Sequence, residues 1–192
     1  MDSSSPQAVS AVPVGSTWGA KRNLVRVLWM LAGRTLFRLS MERADGFRCW
    51  LLRRFGAKIG RNVRVARSCL IDIPWTLDIG DGVQIGDRAI LYALGPIRIG
   101  EGSRIGRFAH ICAGSHDYTK RTFDLTRPPI TIGSDCTIGP DAFVGPGLIV
   151  GDRAVIEARA CLFKSADSGR VYAGNPAKPV EDGAPAAGGA RS

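Results

Sequence analysis

From residue 59 to residue 162 an aliphatic side chain recurs every six positions, usually followed by glycine and then by mostly polar residues. The pairs are Ile59-Gly60, Ile79-Gly80, Ile85-Gly86, Ile99-Gly100, Ile105-Gly106, Ile132-Gly133, Ile138-Gly139, Val144-Gly145 and Val150-Gly151. Val65, Ile71, Leu91, Ile111, Ile156 and Leu162 continue the period without the glycine. Taken in threes, the aliphatics fall at 59/65/71, 79/85/91, 99/105/111, 132/138/144 and 150/156/162, which predicts about five coils of three faces. Two positions earlier sits a small or medium apolar group in most repeats, such as Val63, Cys69, Ala89, Ala109, Cys136 and Ala160. Six residues are three strand periods, so each repeat turns the same face inward. The glycines are expected at the tight turns between faces, where a Cβ would obstruct.

Five coils at a strand spacing of about 4.8 Å make a prism roughly 24 Å tall. The spacing lengthens at 71 to 79, 91 to 99 and 111 to 132, each time at the same corner of the triangle. Solenoids collect loops at one edge, often the binding edge. A βαβ sheet is excluded, because no segment after Phe55 has a helical period.

Ahead of the repeats, residues 21–56 read as a basic helical region. Leu24, Leu28, Leu31, Thr35 and Leu39 recur at spacings of three and four and outline one apolar stripe. Arg22, Arg26, Arg34 and Arg38 fall on another face, and a second short helix is expected around Phe47 to Phe55, stopped by Gly56. This pair is expected to cap the end of the stack, and its basic amphipathic surface suits peripheral contact with an anionic membrane. Residues 1–20 and 181–192 are of low complexity and poor in large apolar groups, and are expected to be mobile. The organisation is therefore a tail over 1–20, a helical cap over 21–56, a repeat domain over 57–180 with an interrupting loop at 113–129, and a tail over 181–192.

Composition narrows the partners. The 26 Lys+Arg against 17 Asp+Glu leave +9 over 192 residues, which favours anionic partners. No aromatic-basic recognition motif accompanies the charge, so nucleic acid is not expected. The five cysteines are odd in number and lack a Cys-x-x-Cys pair, against a disulfide framework or a zinc knuckle. With no secretory signal apparent, and with the longest apolar run, at 24–33, well short of the roughly 20 residues a span needs, the expectation is a cytoplasmic protein, peripheral at most.

Both histidines lie at the long interruption. His110 immediately precedes an inward aliphatic, so its side chain is expected to point out of the prism, on a surface or an interface. His116 sits within Gly114-Ser115-His116-Asp117-Tyr118, where nothing in the repeat demands an imidazole. A three-histidine zinc site, as in carbonic anhydrases built on such coils, is not available from two histidines, and no metal is expected.

The stretch from His110 to Tyr118, Pro128 to Gly133, Ala142 to Gly147 and Ala173-Gly174-Asn175-Pro176-Ala177-Lys178 resembles the hexapeptide-repeat acetyltransferases. The resemblance covers about residues 24–180 and is strongest to the O-acetyltransferases of colanic acid and other exopolysaccharides. It implies a left-handed parallel β-helix, a hand that periodicity does not give, since parallel crossovers are normally right-handed. It also implies acetyl-CoA as co-substrate and a homotrimer with active sites between subunits. In that reading His116 is the general base for a sugar hydroxyl. An imidazole titrating near neutrality suits the task, and the developing oxyanion needs donors that the sequence does not identify. Coenzyme A would run along the C-terminal coils past Ala142, Ala158, Lys164, Asn175 and Lys178. Tyr92, Ser115 and Asp117 are the expected contacts with the acceptor. The competing readings are an N-acetyltransferase acting on an amino sugar or amino acid, and a non-catalytic solenoid that binds or scaffolds.

Overall fold

The computed structural model of the chain describes residues 20–180. Of the tails expected at 1–20 and 181–192, residues 1–19 and 181–192 lie outside the described residues, and Ala20 is the first residue of a helix. The core is an all-β, left-handed parallel β-helix whose three faces are three parallel sheets. The first face stacks Lys58–Ile59, Leu77–Ile79, Ile97–Ile99, Ile130–Ile132 and Ile149–Val150. The second stacks Arg64–Val65, Gln84–Ile85, Arg104–Ile105, Thr137–Ile138, Val155–Ile156 and Val171–Ala173. The third stacks Leu70–Ile71, Ile90–Tyr92, His110–Cys112, Phe143–Val144 and Cys161–Leu162.

The register follows the hexad. Ile59, Ile79, Ile99, Ile132 and Val150 pair in one column, Val65, Ile85, Ile105, Ile138 and Ile156 in the next. Ile71, Leu91, Ile111, Val144 and Leu162 make the third. Nearly all of these side chains are buried. Ser103 takes the small inward position of its repeat as a buried polar group, and its hydroxyl is fully used: it donates to the Gly133 carbonyl at 2.7 Å and accepts from the Cys136 N–H at 2.9 Å.

Two expectations need correction. The stack exceeds five coils: Ala166 bridges Val150 and Val171–Ala173 pairs with Val155–Ile156, which makes a partial sixth turn. The aliphatic-plus-glycine signal stops before it because Ala166 and Tyr172 occupy the inward positions. Nor do the glycines after the aliphatics make the turns. The left-handed backbone lies two residues further on, at Asn62, Arg88, Phe108, Asp135, Asp141, Arg153 and Arg159, all with positive φ. The glycines give clearance between coils instead. A Cβ on Gly86 would meet the Arg107 nitrogen at 2.8 Å, and one on Gly106 the Pro140 nitrogen at 2.6 Å.

Two helices stand at the N-terminal end. Helix α1 spans Ala20–Ala32 and runs on through a π-helical turn at Gly33–Phe37; α2 spans Asp45–Arg54. Helix α2 lies over the first coil with Cys49, Leu51 and Leu52 buried. Arg48 fixes it there with all five N–H donors used: Nε to the Val65 carbonyl at 2.6 Å, Nη1 to Ser40 Oγ and the Met41 carbonyl, and Nη2 to the Glu42 carbonyl and Asp45 Oδ1. The stripe of Leu24, Leu28, Leu31 and Leu39 does not face the core. Those residues are exposed, and α1 docks through Trp29, Gly33 and Phe37 on its other side. Trp29 Nε1 donates to the Ile71 carbonyl at 2.8 Å, its ring meets Phe55 edge-on at 5.1 Å, and Gly33 leaves room for it.

Candidate active site

The long interruption at 113–129 is not a featureless loop. Ser115–His116 pairs antiparallel with Leu125–Thr126, a short hairpin projecting from the corner between the third and first faces. It is seated on the preceding corner: the Gly95 N–H donates to the Ala113 carbonyl at 2.7 Å, and Gly114 lies so close to Tyr92 and Leu94 that a Cβ would collide with both. The hairpin tip is tied by Asp117, whose backbone N–H donates to the Asp124 carbonyl at 2.9 Å. The Asp117 carboxylate accepts from the Thr119 hydroxyl at 2.6 Å and the Thr119 N–H at 3.0 Å, and Lys120 approaches both Asp117 and Asp124. These bonds, the Thr119 hydroxyl first, hold the Asp117 carboxyl below the usual aspartate range. Its local role is to shape the turn.

His116 is partly exposed on this hairpin. Its Nδ1 is 2.8 Å from the Phe123 carbonyl oxygen, and its ring stacks on the Phe123 ring at 4.4 Å with 11° between planes. A carbonyl only accepts, so Nδ1 carries the proton and the neutral ring keeps its lone pair on Nε2. In that tautomer Nε2 is the nitrogen able to accept a proton. Phe123 holds this position with a positive φ of 49°, uncommon outside glycine. A phenylalanine seven residues after the histidine in a mostly polar loop gave no signal in the sequence, and only the hairpin brings it to the histidine.

The other expected acceptor contacts are near. Tyr92 lies beneath the hairpin root, and Ser115 Oγ sits 3.5 Å from Tyr118 Oη. His110 does point outward, but it is half-buried, edge-on between Tyr92 and Phe143 at centroid distances of 6.4 and 5.4 Å. Burial lowers its pKa, against a smaller opposing effect of Asp72. Its Nε2 is buried and has no hydrogen-bond partner among the described residues.

Of the residues expected along the cofactor, Ala158, Lys164, Asn175 and Lys178 are exposed on the C-terminal turns, well removed from the hairpin in the stack order. Ala142 is not at a surface. Its side chain is buried, its N–H donates to the Gly139 carbonyl, and its carbonyl accepts from His110, so it has no group left for a ligand. Among the described residues no group of three or more His, Cys, Asp or Glu could hold a metal ion.

The outer surfaces of the three faces differ. The first carries Lys58, Asp78, Arg98, Thr131 and Ile149 in register, the second Arg64, Gln84, Arg104, Thr137, Val155 and Val171, so both are charged or polar in their first coils and aliphatic at the end. The third carries Leu70, Ile90, His110, Phe143 and Cys161. The hairpin stands at the edge of this apolar face. One cleft lies under α1 and two others beside α2, and His116 lines none of these three.

Comparison with known proteins places the chain among a defined set of sequences. Residues 129–164 match the family of bacterial transferase hexapeptide (six repeats). The chain is 40% identical over 173 residues to the colanic acid biosynthesis acetyltransferase WcaF of Escherichia coli K12, covering 90% of this chain and 93% of that one. A hexapeptide-repeat acetyltransferase of Vibrio cholerae, solved with acetyl coenzyme A, superposes with a TM-score of 0.77 at 22% identity over 84% of this chain and 88% of that one. A galactoside acetyltransferase solved with coenzyme A gives 0.78 at 20% identity over 86% and 84%.

Proposed function

The chain belongs to the hexapeptide-repeat acetyltransferases, and from that premise we propose that it transfers the acetyl group of acetyl-CoA to a hydroxyl of a sugar or polysaccharide precursor with His116 as general base. The carrying observation is the hydrogen bond from His116 Nδ1 to the Phe123 carbonyl, which leaves Nε2 as the acceptor of a proton. His116 Nε2 takes the hydroxyl proton of the acceptor as its oxygen bonds to the thioester carbonyl carbon. The carbon–sulfur bond then breaks, and the leaving thiolate recovers the proton from the imidazolium. An ester and free coenzyme A result, and His116 is neutral again. Water does not need to enter at any step.

The exposed Lys164 and Lys178 are suited to the phosphates of coenzyme A, with Asn175 and Ala158 on the same C-terminal turns. Tyr92 and Ser115 stand where an acceptor sugar would approach the imidazole. We read the third face as the place where three copies meet. It is apolar where the first coils of the other two are charged, it leaves the His110 Nε2 buried without a hydrogen-bond partner among the described residues, and the hairpin with His116 stands at its edge. A site shared between copies accounts for all three.

The test is acetyl transfer from radiolabelled acetyl-CoA to a panel of nucleotide sugars, lipid-linked sugars, free sugars and amino sugars. Ester formation on a hydroxyl supports the reading. Label found only in amide linkage would replace it with N-acetylation, and binding of acetyl-CoA without any product would replace it with a non-catalytic role.

A further inference from the structure

Helix α1 is apolar on both sides, and the fold uses only one. Trp29, Gly33 and Phe37, spaced by four, take the side that docks on the β-helix. The other side presents Leu24, Val27, Leu28 and Leu31, spaced by three and four, to solvent, and Leu39 and Met41 follow. Leu31 is 65% exposed and Leu39 76%, against 4% for Trp29. Contiguous apolar surface of this kind marks a contact site on a protein that must stay in water.

The charge of the segment says what the contact is. Residues 20–56 hold nine Lys and Arg against two acidic residues, Glu42 and Asp45. That is seven of the nine net positive charges of the chain within residues 20–56. Arg26, Arg38, Arg43 and Arg54 are exposed there. On α2, Phe47 and Trp50 are exposed and stacked at 6.0 Å, and Trp50 is of the amphipathic aromatic type that settles at headgroup level. A second copy would bring the same positive charge against itself, and a neutral apolar partner would leave it unused. An anionic lipid surface satisfies both the leucines and the arginines. No described helix is long and apolar enough to cross a membrane.

We infer that α1 lies in the headgroup region of an anionic phospholipid bilayer, with Leu24, Leu28 and Leu31 inserted and the arginines on the phosphates. The catalytic hairpin is then held beside the bilayer without depending on it.

The experiment is co-sedimentation of the full chain with vesicles of phosphatidylcholine alone or mixed with phosphatidylglycerol. The protein is expected in the pellet with the mixed vesicles, in the supernatant with phosphatidylcholine alone, and partly released by high salt. Combined Leu24→Ser, Leu28→Ser and Leu31→Ser changes, all at exposed positions, are expected to weaken binding by about tenfold or more, because each removes inserted apolar area. Circular dichroism and size-exclusion volume should not move. Arg38→Glu is expected to weaken binding to the mixed vesicles. Wild-type protein left in the supernatant with phosphatidylglycerol would overturn the inference, as would undiminished binding by the triple variant. A smaller assembly in the triple variant without lipid would assign the face to a second copy. None of these readouts requires acetyl transfer, so the result is independent of the reaction proposed above.

Discussion

The side chain of His116 is held twice by one residue: its Nδ1 bonds the Phe123 carbonyl at 2.8 Å and its ring lies on the Phe123 ring at 4.4 Å. One contact sets the tautomer and the other the plane. Removing the imidazole in His116→Ala is expected to cost roughly 10²–10⁴ in kcat, the usual contribution of a positioned base. Melting temperature and acetyl-CoA binding should be retained. Near-normal kcat in this variant would end the assignment.

Phe123→Ala keeps the carbonyl and loses the stack. The ring of His116 gains freedom, and a misplaced base lowers kcat, here by up to about 10²-fold. The KM for acetyl-CoA is expected to stay level, because the ring of Phe123 packs on His116 and Tyr118 within the hairpin. A change in that KM with constant kcat would show that Phe123 shapes the cofactor groove rather than the base.

Much of the β-helix was legible and much of the site was not. The fifteen-position register could be read because period six forces Ile99 over Ile79 whatever lies between. The docking side of α1 could not be read, since Leu24, Leu28 and Leu31 make as good a stripe as Trp29, Gly33 and Phe37. Only contact with Phe55 and Ile71 decides between them. The hairpin was hidden because two-residue strands, Ser115–His116 and Leu125–Thr126, are too short to show alternation. His116 was found by its position in the loop, and the partner that orients it was not.

Burial makes His110 harder to protonate in the folded chain than in the unfolded one, whose value is near 6.5. The unfolded state therefore binds the proton first, and stability falls as pH drops below about 6.5. Thermal melts between pH 7.5 and 5 are expected to show this slope in wild-type protein and a shallower one in His110→Phe. Equal slopes would mean that another group controls the window. Losses at still lower pH belong to depressed carboxylates such as Asp81, held by Arg61.

Gly106→Ala places a methyl 2.6 Å from the Pro140 nitrogen of the next coil. Backbone on backbone cannot yield as a side chain would, and overpacking of this kind costs about 1–3 kcal/mol. Urea denaturation should show that loss at Gly106, whereas Gly46→Ala, with open space around it, should be close to neutral.

Arg48→Met removes five hydrogen bonds at once and strands the carbonyls of Val65 and Glu42, while the Met41 carbonyl keeps only the Ala44 N–H. The expected loss is about 3 kcal/mol or more, as when one partner of a buried polar pair is deleted. Limited proteolysis should detect early release of the segment between α1 and α2. Unchanged protection would show that apolar contacts of Leu51 and Leu52 suffice.

The strand Ile130–Ile132 pairs with Ile97–Ile99 in the register that Ile97–Ile99 keeps with Leu77–Ile79, although the hairpin has come between. The stack does not register what is spliced into its corner. The segment between Cys112 and Ile130 can therefore drift, or be exchanged as a cassette with that of another chain, while the register of the coils on either side stays as it is.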